Sequence, residues 1–216
     1  MALIDVLLPP SCAGCGRYGS PLCDACRASF RPASPAADRF WVGDAGVVVG
    51  DTLTLAIAAF RYEGPLRRAL QRLKYGGAGR LASPLATAAL PAFDDLTEVC
   101  GPLPLVPVPV HPIRLRERGY NQAALLARRL AVHRTVPVRE LLIRARATTK
   151  QHRLDRAARL RNLRGAFLMR NAARPPPRVI LVDDILTTSA TLEACAAALM
   201  AAGCDHVYGF TLAREV

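Results

Sequence analysis

Residues 178–191 read RVILVDDILTTSAT, and the interpretation of the whole chain begins with them. Four apolar residues, Val179 to Val182, lead into the adjacent acids Asp183 and Asp184, and small or hydroxyl-bearing residues follow. This pattern predicts a buried strand, then a loop, then the helix ATLEACAAALMAAG. Ligands of open α/β sheets lie beyond the carboxyl ends of the strands. We therefore expect both carboxylates at such an edge, where they can stay solvated.

The residue types at this edge suit a phosphorylated sugar. Adjacent carboxylates can accept hydrogen bonds from a vicinal diol or hold Mg²⁺. Backbone N–H groups of the loop before the helix, together with the hydroxyls of Thr187, Thr188, Ser189 and Thr191, would surround an anion favoured by the helix dipole. Together these features predict a site for ribose 5-phosphate activated as its diphosphate. The alternative is a buried strand ending in a polar turn, with Asp184 or a threonine as a helix cap.

Outside this stretch, segments with strand character alternate with segments of helical periodicity. The strand patterns are TLTLAIAAFRY, PLVPVPV, ELLIRARA and HVYGFTLA, and the helical ones are GPLRRALQRLKY, GRLASPLATAALPAF, NQAALLARRLAVHR and the start of DRAARLRNLRGAF. Leu66, Leu70 and Leu73 fall on one face of their helix. The alternation predicts an α/β fold with a parallel sheet. The turn-rich segment FRPASPAADRF predicts a linker between an N-terminal unit, residues 1–38, and a main domain, residues 39–216.

The chain is strongly basic, with a formal net charge of +12 over 216 residues. Arginine supplies nearly all of it, since Lys74 and Lys150 are the only lysines among 29 basic residues. Fourteen arginines between positions 114 and 164 stand against only three acids. Such a field attracts phosphates and nucleic acid. A solvated basic surface, enriched in arginine by codon usage, is the alternative.

The sequence predicts a cytoplasmic protein without a membrane span. No apolar run approaches the roughly 20 residues that a bilayer requires. The opening MALIDVLLPP lacks the basic region and the cleavage site of a signal peptide, and it predicts a short helix instead. Thiols stay reduced in the cytoplasm, where clustered cysteines indicate metal rather than disulfides.

Four cysteines near the N-terminus, Cys12, Cys15, Cys23 and Cys26, form two CxxC pairs separated by seven residues. Two such pairs can supply four thiolates to a closed, tetrahedral structural Zn²⁺ site. A unit of roughly 25 residues has too small a core to fold alone, so the metal would supply its folding energy. A disulfide pair or a redox CxxC is the alternative.

A second motif, VPVPVHPIRLRERGYNQ, places His111 in a predicted loop rich in arginine, before a helix that begins near Asn121. Arginine forks match the oxygen atoms of a diphosphate. The alternative is a basic loop that leads into a capped helix.

These motifs resemble two known patterns. Residues 178–191 resemble the phosphoribosyl-diphosphate signature of the type I phosphoribosyltransferases. The second motif, FRYEGPLRRALQRLKYGG, RARATTKQHRLDRAARLRNLRGAF and the N-terminal cysteines resemble the competence-protein ComF family, and together they touch most of the chain. The resemblance implies a parallel-sheet type I phosphoribosyltransferase fold with a small N-terminal zinc-binding unit.

The resemblance also implies roles for individual residues. Asp183 and Asp184 would bind the ribose hydroxyls as catalytic residues, and residues 187–191 would bind the 5-phosphate. His111, Arg114 and Arg118 would meet the diphosphate, and Lys150 and Gln151 would reach it from a mobile loop. Lys74 is either a ligand or a partner of its helix dipole. Ser189 stands where the family usually has glycine, and Thr187 stands where purine salvage members carry an aspartate, so purine salvage is not expected.

The function implied is a part in natural transformation, through the handling of single-stranded DNA in the cytoplasm. One hypothesis is an enzyme that uses phosphoribosyl diphosphate and Mg²⁺ to transfer or release ribose 5-phosphate. The alternative is a non-catalytic DNA-binding or regulatory module whose pocket senses nucleotides. Other competence proteins are further candidate partners. Folds of this type often form homodimers, although no apolar stripe in the sequence establishes one.

Overall fold

The computed structural model describes residues 9–33, 47–48, 52–75, 77–146, 163, 165–170, 174–187 and 189–215. The predicted N-terminal helix, the predicted domain boundary after residue 38 and the predicted helix from Asp155 lie outside these residues.

Seven strands are described, and they form two sheets: β1 (Val47–Val48), β2 (Leu55–Arg61), β3 (Leu105–Pro107), β4 (Leu142–Arg144), β5 (Phe167–Met169), β6 (Arg178–Leu186) and β7 (His206–Arg214). The main sheet has the order β1-β2-β7-β6-β3. All its neighbours are parallel except β1, which is antiparallel to β2. The predicted α/β fold with a parallel sheet is therefore confirmed.

Six α-helices are described: α1 (Asp24–Ala28), α2 (Gly64–Tyr75), α3 (Ala82–Cys100), α4 (Pro112–Arg118), α5 (Gln122–Arg134) and α6 (Ala190–Ala201). Helix α2 has the predicted bounds, and its leucines 66, 70 and 73 are buried as expected. Asn121 caps α5, because its side-chain oxygen accepts a hydrogen bond from the Ala123 N–H. None of the helices among the described residues combines the length and the apolarity needed to cross a bilayer.

Helices cover both faces of the main sheet. Helices α2, α3 and α5 share one core with Ile180 and Val182 of β6. Helix α6 shares a second core with Val179 and Leu181, together with residues of β4 and β5. Successive side chains of a strand point to opposite faces, so the apolar run of β6 is buried on both sides, as is usual for a parallel strand.

Four segments differ from the sequence-based expectation. β6 runs through both acids to Leu186, and α3 continues past the predicted end at Phe93, with Pro91 inside it. The segment ELLIRARA forms only the three-residue β4, which pairs with β5 in a separate antiparallel sheet. The predicted loop after His111 is helix α4, which begins with a capping side chain and a proline at its first position, two signals typical of a helix start.

Candidate functional site

Two of the predicted motifs meet at one edge of the main sheet. β3 pairs with β6 in parallel, with Pro107 opposite Val182. The ladder continues one step further, because the Val108 N–H donates to the Val182 carbonyl at 2.9 Å. The chain that leads to His111 therefore leaves the sheet next to the two acids of β6. This brings the arginine-rich motif and the opening motif together, as their predicted roles require.

The two acids do not share one solvated position. Because β6 continues through them, the pleat directs their side chains to opposite faces of the sheet. Asp184 is only 3% exposed and Asp183 is half-buried. The expectation that both carboxylates stay solvated is therefore wrong for Asp184. The apolar core around α2 and α3 accounts for its burial, since it covers that face of β6.

Asp184 is paired with Lys74, which lies in the last turn of α2. The Lys74 Nζ is 3.0 Å from Asp184 Oδ2, and both side chains are largely removed from solvent. Burial lowers the pKa of Lys74, but the carboxylates of Asp184 and Asp183 outweigh burial, so the pKa is raised. The ammonium group of Lys74 thus neutralises a buried carboxylate, and the sequence alone did not indicate this ion pair.

Asp183 lies on the other face, close to residues of β4 and α6. Its Oδ1 accepts a hydrogen bond from the Asp184 N–H at 2.8 Å. Burial, assisted by the charge of Asp184, raises its pKa to about 7. Burial also lowers the pKa of Arg144, an effect that the Asp183 charge opposes. Arg144 was not singled out from the sequence, although it belongs to the block RARATTKQ, and it places a cation near this carboxylate.

The turn after β6 adopts the backbone that glycine favours. Ser189 has φ 52° and ψ −15°, in the left-handed region, and α6 begins with the next residue. The family usually has glycine at this position, so Ser189 keeps the glycine conformation with a side chain attached. Thr187 is exposed, Thr191 is half-buried and Ala190 is buried. Thr188 lies outside the described residues.

Glu193 is a further buried acid in the first turn of α6. Its Oε2 accepts hydrogen bonds from the backbone N–H of Thr52, at 3.0 Å, and from the Thr52 hydroxyl. Its Oε1 has no hydrogen-bond partner among the described residues. The contact ties the start of α6 to the segment that precedes β2. A glutamate in an otherwise apolar helix was a signal that the sequence analysis did not use.

The arginine-rich motif is ordered by local contacts. His111 Nδ1 accepts the N–H of Ile113 at 3.3 Å and so caps α4. Arg114 pairs with Glu117 at 2.9 Å on the exposed surface. Arg118 is half-buried; its Nη1 donates to Gln122 Oε1 at 3.0 Å. Lys150 and Gln151, the predicted contributors from the mobile loop, lie outside the described residues.

The four N-terminal cysteines come together. Their sulfur atoms all lie within 4.8 Å of one another, and the Sγ atoms of Cys15 and Cys23 are 3.7 Å apart. Tetrahedral zinc with Zn–S bonds of about 2.3 Å places its sulfurs roughly 3.8 Å apart. Burial raises the pKa of Cys12, but N–H groups that include those of Cys23 and Gly14 bond to its sulfur and lower it to about 6. The cluster can hold a metal such as zinc.

The cysteine unit packs directly on the main body. Cys12, Leu22, Cys26 and Phe30 belong to the same core as α2 and α3. The rings of Phe30 and Phe60 meet edge to face, with their centroids 5.3 Å apart. These contacts show that the unit shares its apolar interior with the main body.

Comparison with known proteins gives the family. No protein-family model matches the chain. Competence protein F of Haemophilus influenzae is 31% identical over 159 residues, which cover 71% of this chain and 69% of that protein. The DNA utilization protein YhgH of Escherichia coli K12 is 31% identical over 160 residues, 72% of this chain and 70% of that protein. The chain belongs to the ComF family.

A third relative matches less of its own length. Competence protein ComFC of Bacillus subtilis is 31% identical over 163 residues, which cover 73% of this chain and 63% of that protein. The ComF resemblance inferred from the sequence motifs is thus confirmed by proteins from three different bacteria.

Proposed function

We propose that this ComF-family chain takes part in DNA uptake and natural transformation in the cytoplasm, and that it binds phosphoribosyl diphosphate with Mg²⁺ at the carboxyl end of β6. The first part is supported by the names of its relatives, which are competence and DNA utilization proteins. The second part is supported by the type of residue at the end of β6. The proposal includes the type I phosphoribosyltransferase fold and a main domain that begins near residue 39.

The observation that carries the proposal is the conformation of the turn after β6. A left-handed Ser189 directly precedes α6, so that the turn bends sharply into the amino end of a 12-residue helix. The first N–H groups of a helix have no partner within the helix itself, and such an end favours an anion; the exposed Thr187 lies beside it. The half-buried Asp183 lies a few residues before this turn in the same strand. The helix end can thus bind the 5-phosphate of ribose 5-phosphate, and Asp183 can bind its hydroxyls.

Each site residue has a role in the proposal. Asp183 accepts a hydrogen bond from one ribose hydroxyl. Lys74 keeps Asp184 ionised through their 3.0 Å ion pair, and Asp184 has to turn away from its own face of the sheet to bind the second hydroxyl. The 5-phosphate binds at residues 187–191. His111, Arg114 and Arg118 approach the diphosphate, and Lys150 and Gln151 complete its enclosure. Asp183 and Asp184 would hold Mg²⁺, a hard cation that prefers oxygen ligands, and the ion would supply positive charge to offset that of the diphosphate.

The reaction in the proposal is a displacement at the anomeric carbon. The bond from this carbon to the diphosphate oxygen breaks, and its electron pair leaves with diphosphate. A lone pair of an acceptor nucleophile, water or an amine, forms the new bond, and the nucleophile then releases a proton to solvent. Asp183 and Asp184 stabilise the positive charge that develops on the ribose, while the arginines stabilise the leaving group.

The cysteine cluster holds structural Zn²⁺ in this proposal. Four sulfur ligands leave no open coordination position for chemistry, and the site shares its core with the main body. The metal would therefore stabilise the unit rather than react.

A second candidate is a non-catalytic DNA-binding or regulatory module with a nucleotide-sensing pocket. The ion pair of Asp184 with Lys74 favours it, because one of the two carboxylates already has a partner within the protein. Thr187, at the position where purine salvage members carry a general base, also fits it. In this candidate, phosphoribosyl diphosphate binds but is not consumed, and single-stranded DNA is the partner.

Calorimetric titration with phosphoribosyl diphosphate and Mg²⁺ tests the proposed site. Asp183→Asn keeps the acceptor for the Asp184 N–H but removes the charge, so it should weaken binding at least tenfold while the fold is retained. Asp205→Asn, at an exposed acid before β7, changes the net charge equally and should bind as the wild type does. Equal affinity for all three chains would remove the proposed site.

Release of diphosphate separates the two candidates. Steady release that depends on Asp183 and on an added acceptor or water supports the enzyme. Binding without release, even over long incubation, supports the sensing module.

A further inference from the structure

A groove of about 980 Å³ lies between the cysteine unit and α2. One wall is the turn at residues 13–16, which contains Cys15. The other wall consists of Arg68, Gln71, Arg72 and Tyr75. These four positions are three, four and seven residues apart, so they form one stripe along the helix. The stripe lies opposite the leucines with which α2 contacts the core.

The groove carries positive charge along its helical wall. Arg68 and Arg72 are both exposed, and no acidic residue lines the groove in the described part of the chain. Arg68 is held against the turn at residues 13–16, because its Nε donates a hydrogen bond to the Gly14 carbonyl. Arg72 lies further along the groove, with its Nη1 3.4 Å from the Ser11 hydroxyl.

An aromatic ring stands at the carboxyl end of the same stripe. Tyr75 is 59% exposed. The guanidinium carbon of Arg118 lies 5.0 Å from the centroid of this ring. A cation at this distance orients the ring and adds positive charge to this end of the groove.

We propose that this groove binds a nucleotide unit, with its phosphate at Arg72 and its base stacked on Tyr75. Arginine binds phosphate oxygens through paired N–H groups, and any base can stack on a tyrosine ring. Four zinc-bound thiolates carry a net charge of −2, which places the phosphate toward Arg72 and away from Cys15. Lys74, next to Tyr75, faces Asp184 instead of the groove, so Arg118 is the residue that the groove and the proposed sugar-phosphate site have in common.

The nucleotide unit can belong to a free nucleotide or to a single strand. The strand would deepen the DNA part of the proposed function and rests on it, whereas a free nucleotide does not. The two sources share the phosphate and the base that the groove recognises. They differ in whether neighbouring phosphates contribute, and this difference is measurable.

The test is fluorescence anisotropy of the zinc-loaded full chain with a labelled trinucleotide of thymidylate. Tyr75→Ala should weaken binding by about 5- to 100-fold, the range expected for one stacked base. Arg72→Gln should reduce the slope of log affinity against log salt by about 0.7, the value for one phosphate contact on a single strand. Gln71→Arg adds a cation to the stripe and should strengthen binding.

Arg129→Gln is the matched control, because Arg129 is exposed on α5 and this substitution removes the same charge as Arg72→Gln. It should bind the trinucleotide as the wild type does. Failure of the wild type to bind, or equal effects of Arg72→Gln and Arg129→Gln, would overturn the proposal. If thymidine monophosphate competes at a concentration similar to that at which the trinucleotide binds, the ligand is a free nucleotide. If only longer strands compete, the ligand is a single strand.

Titration of the same variants with phosphoribosyl diphosphate separates this proposal from the proposed function. Arg72→Gln changes a side chain that contacts Ser11 and none of the described residues of the proposed sugar-phosphate site, so it should retain the heat of phosphoribosyl diphosphate binding while it weakens trinucleotide binding. If phosphoribosyl diphosphate fails to bind to any chain but the trinucleotide result holds, only the sugar-phosphate site is refuted.

Discussion

The cysteine unit and the end of β6 both bring several ionisable groups together, but by different means. The four thiols lie within 15 consecutive positions, and two local turns are enough to gather them. Asp184, in contrast, pairs with Lys74 of α2, a helix that lies far from β6 in the sequence. The comparison shows that spacing predicts a local cluster, whereas the partner of a buried charge depends on the packing of the whole fold.

Loss of the metal should have the largest effect and should stay local. In Cys12→Ser, one of the four ligands is lost, so the zinc content of the purified chain should fall to near zero. Metal binding supplies on the order of 10 kcal/mol of folding energy in small zinc units. Hydrogen exchange should then show open amides at residues 9–33, while β6 and β7 stay protected.

The control for this change is Cys204→Ser, at a buried cysteine outside the cluster. It should retain full zinc content. Unchanged zinc in Cys12→Ser would contradict the metal site, and loss of protection throughout the sheet would show that the two regions do not differ as described.

Removal of the Lys74 charge should cost the second-largest amount. Lys74→Met leaves the buried Asp184 carboxylate without its cation, and breaking a buried ion pair in this way costs about 3–5 kcal/mol. Urea denaturation measures the free energy of unfolding. The double variant Lys74→Met/Asp184→Asn removes both charges and should recover most of the loss; a double variant as unstable as the single one would argue against the pair.

The pH dependence of stability should identify Asp183. Its pKa is raised from 3.8 to about 7, so between these values the folded chain binds a proton that the unfolded chain has released. Stability from this group therefore falls as the pH rises through that window. Asp183→Asn removes the effect, and its gain in thermal stability over the wild type should be larger at about pH 8 than at about pH 5. An equal gain at both would mean that the pKa is not raised.

The smallest change concerns the turn after β6. A non-glycine residue in the left-handed region destabilises the folded chain by about 1–2 kcal/mol. Replacing it with glycine removes this strain, but glycine loses more conformational entropy on folding, which offsets roughly 0.5–1 kcal/mol of the gain. Ser189→Gly should thus stabilise the chain by up to about 1 kcal/mol. Ala202→Gly, at a position with negative φ, is the control and should destabilise. Destabilisation by Ser189→Gly would contradict the left-handed turn.

Features that follow from local patterns could be predicted from the sequence. The bounds of α2, the cap of α5 at Asn121 and the cysteine cluster all depend on neighbouring residues, and the structure agrees with them. The need for positive φ at position 189 could likewise be anticipated, because the type I phosphoribosyltransferase signature that residues 178–191 resemble usually has glycine there.

Features set by distant contacts could not be predicted in the same way. The extension of β6 through Asp183 depends on its pairing with β7, and the burial of Asp184 depends on α2 and α3 covering that face. The short strand β4 departs from the main sheet because it pairs with β5, a strand that the sequence pattern did not reveal. Arg144 reaches the vicinity of Asp183 only through that arrangement.

A crystal structure of the chain with phosphoribosyl diphosphate and Mg²⁺ tests the central claim most directly. The account predicts ribose hydroxyls within about 3 Å of the carboxylates of Asp183 and Asp184, and the 5-phosphate at the backbone N–H groups of residues 187–191. A ligand bound elsewhere, or a Lys74–Asp184 pair that excludes the sugar at saturating concentration, would contradict it.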